Sequence, residues 1–271
     1  LRPSRCSRGP LAPEVSAGGP AAGATPDDLW IDAATQGARG DYSEAAALCR
    51  ALADHGGRWR SLALSMRASH HRQVGAIVTA RALDVQALDS ADDDESCADA
   101  LIGLAADDVA AGAASPAQDW HAQAGVMAAN GWRTLTRWHW VGAELALLVG
   151  DRGAAADHAR ASVACSAEES HRHEAKSLII VAAATGDPTG LDRVATVLEA
   201  SSWPTLQWPL ALVAADLGDR VDPVWLARAW HAGADATYRI EERLPAGLVA
   251  TWRAQPGVGR LRAGSPGRGG E

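Results

Sequence analysis

A Gly-Asp step recurs along this chain at the interval that stacked helical hairpins produce. Residues 136–201 show it most plainly. An apolar helix-forming run ends at Gly150-Asp151 and an Ala-rich amphipathic run follows; a second apolar run ends at Gly186-Asp187 and another amphipathic run follows it. The two breaks lie 36 residues apart, the size of a helix-turn-helix unit whose apolar face is buried only by its neighbours. Gly40-Asp41 and Gly218-Asp219 repeat the step toward either end. With Gly75 and Gly112 between them, the spacings run 35, 37, 38, 36 and 32. No alternating run of Val, Ile or Thr competes for a strand.

Taken in order, the pattern predicts hairpins over 29–54, over 58–71 with 75–88, and over 96–111 with 116–130. The two units of 136–201 follow, then a helix over 203–217 with a partner starting at Asp222-Pro223, and a last piece over 237–252 to cap the stack. Pro26-Asp27-Asp28 opens the first helix with acids where the helix dipole favours them. Residues 1–25 hold Pro, Gly, Ser and Ala with nothing to bury, so disorder is expected there. Residues 253–271 read as a flexible basic tail. The expectation is an all-α solenoid of about six antiparallel hairpins over 26–252, coiled as a right-handed superhelix.

Composition narrows the function classes. Among 271 residues there is one lysine, Lys176, no Phe and eleven Trp, a bias of the kind high-GC genomes produce. Trp must therefore supply the bulk that Phe usually gives. The net charge is −8, and both ends carry more Arg than acid, so the helical body is more acidic than the whole. Such a body repels phosphate backbones and argues against direct nucleic-acid binding. Cys6, Cys49, Cys97 and Cys165 show no C-x-x-C pairing, which fits a reducing cytoplasm and neither a disulfide framework nor a zinc site. Apolar runs are too short to span a membrane, and the N-terminal arginines precede no apolar signal core.

The residues GDYSEA, Gly40 to Ala45, resemble the inter-helix turn of the tetratricopeptide repeat. There a small residue ends helix A, an acid opens helix B, an aromatic fills the gap and Ala permits close packing; Gly40, Asp41, Tyr42, Glu44 and Ala45 match by position. The resemblance implies an α-solenoid whose A helices line a concave surface that holds a peptide. On that surface we expect an aromatic and cationic wall from Trp138 or Trp140 with Arg133, Arg137, His171, Arg172 and Lys176. Trp138 and Trp140 are two apart, so they cannot face the same neighbour. The Lys/Asn clamp that some relatives use on peptide carboxylates is missing.

Catalytic motifs are weak. Glu168 and His171 form a single E-x-x-H, whereas a carboxylate-bridged di-iron bundle needs two. The alternative reading of this stretch is a set of surface i,i+4 pairs, Glu168–Arg172 and Glu169–His173. Asp92 to Glu95 lacks the Gly and terminal Glu of a calcium loop, and Gly257-x-Gly259 follows no strand. The expected function is a cytoplasmic, non-catalytic scaffold holding a protein or peptide, with no cofactor and no metal. The rivals are the sensor region of a transcription or signalling regulator, and a helical-bundle metalloenzyme using Glu168 and His171.

Overall fold

A computed structural model describes residues 23–128, 131–201 and 203–264. The expectation of disorder over 1–25 falls largely outside them, as do Asn130 and residues 265–271 of the tail. Among the described residues the chain is all helix, with no strand: α1 (Pro26–Ala38), α2 (Tyr42–Ala53), α3 (Gly57–Val74), α4 (Ile77–Ser90), α5 (Asp94–Ala110), α6 (Ala114–Ala128) and α7 (Trp132–Leu148). The second half is α8 (Arg152–Ser166), α9 (His171–Thr185), α10 (Leu191–Ala200), α11 (Pro204–Leu217), α12 (Pro223–Glu241), α13 (Val249–Arg253) and α14 (Pro256–Arg262). Each odd helix from α1 to α11 packs with the even helix after it, and successive pairs stack into a helical repeat.

Local chemistry sets the ends. Thr25 and Asp28 form a capping box at α1 behind Pro26. Asp41, Asp93, Asp151, Ser170 and Asp222 each accept from a backbone N–H of the helix they open, satisfying donors that the first turn leaves free. At the far end of the odd helices, Gly40, Gly75, Gly112, Gly150, Gly186 and Gly218 all have positive φ, a backbone region that glycine enters without strain, and Gly75 and Gly186 are left-handed C-caps. Gly40 is doubly constrained. Its φ is +75°, and a Cβ there would lie 2.8 Å from Ile240 Cγ1.

That contact marks the main departure from an open coil: the two ends of the stack meet. Tyr42 and Val74 share one buried cluster with Ile240, Leu244, Trp252 and Val258. Thr205 donates to the Ala38 carbonyl at 2.8 Å, Gln255 to the Gln73 carbonyl at 2.8 Å, and Ser43 Oγ to the Arg243 carbonyl at 3.1 Å. The flexible tail expected from 253 onward is therefore corrected. Pro256–Arg262 is helical, with Val258 and Leu261 fully buried: Val258 completes the seam between the ends, and Leu261 packs on Ala211, Ala215 and Trp230 of α11 and α12. The last helical piece also differs from the expected 237–252. Residues 237–241 belong to α12, and the chain turns at 242–245 before the short α13.

Candidate functional site

Because the stack curves until its ends touch, the inward faces of α1, α3, α5, α7, α9 and α11 surround a central cavity of about 630 Å³. Helical periodicity decides which side chains reach it. On α9 the wall residues are Arg172, His173, Lys176, Ile179 and Ile180, and on α7 they are Trp132, Arg133, Arg137, Trp140, Val141 and Glu144. Both sets follow the i, i+3, i+4 stripe that normally carries apolar residues toward a core. Here the stripe is half cationic. Five cations (Arg72, Arg133, Arg137, Arg172, Lys176) face the space against two carboxylates, Asp99 and Glu144. An acidic protein has turned its positive charge inward.

On one side the cations are paired. Arg72 donates to Asp84 at 2.5 Å, to Asp107 at 2.7 Å and to the Gly103 carbonyl at 3.1 Å. Burial pushes the Asp84 and Asp107 carboxyls up against the pull of Arg72, whose own guanidinium is held above its usual range by the two acids. Arg137 pairs with Asp99, and Arg133 lies 3.4 Å from the same carboxylate. Burial disfavours the Asp99 charge, but the two arginines outweigh it and hold that carboxyl below its usual range.

On the α9 side the arrangement is different. Among the described residues, Arg172 and Lys176 make neither a hydrogen bond nor an ion pair, and Arg172 Nε is buried without an acceptor. Burial lowers the Arg172 guanidinium from its ordinary value and brings Lys176 down to about 8, with Glu144 pulling the other way. Lys176 Nζ sits 4.1 Å from the centre of the Trp140 ring. The His173 imidazole stacks on that indole at 5.3 Å and meets the edge of Trp132 at 5.0 Å. Trp140 is anchored by its Nε1, which donates to Ser177 Oγ at 2.8 Å. Burial and the surrounding cations keep His173 neutral, well below its usual range.

Of the seven residues expected on the concave wall, Arg133, Arg137, Trp140, Arg172 and Lys176 are brought together there. Trp138 and His171 are not. Trp138 turns away, stacks on His121 at 4.5 Å, and donates to the His121 carbonyl at 2.8 Å. Gly125 gives it room, since a Cβ there would stand 3.1 Å from the indole. His171 is exposed beside Glu174 at 3.9 Å. The surface pairs Glu168–Arg172 and Glu169–His173 are overturned as well. Ser170 caps α9, so Glu168 and Glu169 precede the helix, and Arg172 and His173 point inward. For the same reason Glu168 and His171 do not share a helix face. His70, Arg72, Trp30 and Trp208 also line the cavity; the period of the inner helices was the signal that could have found them.

Compared with known protein families and curated protein sequences, the chain matches no family model and no curated sequence.

Proposed function

We propose that this chain is a non-catalytic binding module that holds its partner against the inner wall of the helical stack. We read the stack as tetratricopeptide-like. Gly40 takes positive φ, Asp41 caps α2 and Ala45 is fully buried, the roles the family assigns to those positions. The free thiols of Cys49, Cys97 and Cys165 suit the reducing cytoplasm. The observation that carries the binding reading is the pair Arg172 and Lys176, which among the described residues lack a hydrogen bond or ion pair on a wall where the other cations are matched by carboxylates and the rest is largely aromatic and aliphatic. A few polar groups fixed on an apolar concave surface are what ligand sites require. Contact between the ends of the stack favours a compact occupant over a long peptide lying in a groove.

The test uses Ala34, an exposed residue at the edge of the cavity. Wild type and Ala34→Trp are captured from native extract, and each is weighed intact under non-denaturing conditions. A bound mass on wild type that is lost from the blocked variant supports an inner-wall site. Equal retention by both proteins, or nothing bound to either, overturns it.

A further inference from the structure

The chemistry of the α9 wall says what kind of occupant the cavity is built for. Arg172 and Lys176 are i and i+4 on α9, one turn and about 6 Å apart, so one head group can reach both. Placing two partly buried cations without an acceptor on one wall, with only Glu144 of α7 acting on Lys176 from across the cavity, opposes folding. Every other wall arginine has its carboxylate: Arg72 has Asp84 and Asp107, while Arg133 and Arg137 have Asp99. The guanidinium fork of Arg172 matches two oxygens of an acid group, and Lys176 adds a point charge. Beyond the charges the wall is apolar, with Trp140, Val141, Ile179 and Ile180 around the same end. An inorganic ion would leave that surface unused. The volume of about 630 Å³ lies within the 300–1,000 Å³ usual for small-molecule sites.

We propose that the cavity binds a small organic acid, its carboxylate on Arg172 and Lys176 and its aromatic or aliphatic body against Trp140, Ile179 and Ile180. This deepens the inner-wall reading and rests on it. The bound acid supplies the acceptor that the fold leaves out at Arg172 and Lys176. His173, kept neutral and stacked on Trp140, adds a second flat ring to this part of the wall.

Isothermal titration calorimetry of the full chain tests this with two matched pairs, 2-naphthoate against 2-naphthamide and decanoate against decanamide. At least one acid is expected to bind about tenfold or more tightly than its amide, the scale of a charge-assisted contact. Arg172→Met with Lys176→Met is expected to abolish that preference with little change in melting temperature, because neither cation has a hydrogen-bond or ion-pair partner among the described residues and a thioether can take the place of Lys176 against Trp140. Lys176 is the only lysine, so trinitrobenzenesulfonate modification of its peptide, read by mass spectrometry, should slow when the acid is bound. If amide and acid bind alike, or the double variant keeps the acid preference, the acid assignment is overturned while the inner-wall site stands. If a hexapeptide with a free C-terminal Leu binds and neither small acid does, the occupant is a peptide end and the proposal fails. If nothing binds and Ala34→Trp retains what wild type retains, the inner-wall reading fails with it.

Discussion

Arg72 and Arg172 face the same cavity from α3 and α9, and their surroundings are opposite. Arg72 reaches two buried carboxylates and a carbonyl; Arg172 reaches no acceptor among the described residues. Near Arg72 the acids come from α4 and α5, whose Asp84 and Asp107 are aimed inward. Around α9, Glu174 is turned away and bound by Arg193 at 2.7 Å, and Glu144, which faces the cavity from α7 and pulls on Lys176, makes no ion pair with either cation among the described residues. An arginine whose charge is matched within the fold belongs to the architecture. One whose charge is left open is a place for something else. The wall thus separates a structural half, α3 to α7, from a half available for recognition, α9.

The largest expected effect breaks the structural half. Arg72→Met strands Asp84 and Asp107, whose side chains are 0% and 1% exposed. Removing one partner of a buried ion pair typically costs about 3–5 kcal/mol. Urea unfolding at pH 7 should show a loss of that size. A loss under about 1 kcal/mol would mean that water or another cation reaches these acids, and the two halves would no longer differ in kind.

Acid sharpens the comparison, because the buried histidines and the buried carboxylates titrate in different windows. His70 on α3 and His173 on α9 both feel Arg172. Burial, then Arg172, His71 and Arg67, brings His70 down to about 3; burial and four cations, Arg172, Arg133, Arg137 and Lys176, hold His173 well below its usual range. The unfolded chain takes up these protons near pH 6.5 and the folded chain does not. Stability therefore falls as pH drops from about 6.5 toward 4. The lowered Asp99 carboxyl adds stability that persists above its unfolded value and is lost only below about pH 4. Asp84 and Asp107, with raised values, act in the opposite direction where they titrate. Urea midpoints at pH 7, 5.5 and 4.5 should decline, and His173→Gln should flatten the decline. A midpoint independent of pH across this range would place the histidines in contact with water.

Much of the fold was legible because it is local. The Gly-Asp steps, caps and apolar periods act within a few residues, and the six periodic glycines all take positive φ where an odd helix ends. The seam between the ends was not legible. Pro256 to Arg262 holds only Val258 and Leu261 as apolar anchors among glycines and arginines, and the partners of Val258 across the seam, Tyr42 and Val74, lie far away in sequence. The site was legible in part. The inward stripe of α7 and α9 follows from period alone, but its phase on α9 depends on where the helix begins. Ser170 caps α9 without an acid three residues on, since His173 stands there, so the start could be read a turn too early. The choice between Trp138 and Trp140 needed the neighbouring helices: Gly125 on α6 opens space for one, and Ser177 on α9 offers an acceptor to the other.

The smallest expected effect is the most discriminating. Arg172→Met removes a charge with no acceptor and keeps an unbranched chain of similar reach along Trp140 and the aliphatic wall. The penalty of holding that charge away from water disappears, and little packing is lost. Unfolding free energy should stay within about 0.5 kcal/mol of wild type or rise, as it does where a site and not a fold is altered. The neighbouring Tyr42 does not change this balance. Burial raises its hydroxyl above the ordinary tyrosine range, so it stays neutral, and it donates to Gln73 at 2.7 Å. If urea unfolding instead showed a loss of 2 kcal/mol or more, on the scale of a broken buried charge contact, Arg172 would have an internal partner after all. It would then stand with Arg72, and the α9 wall would be one more structural surface.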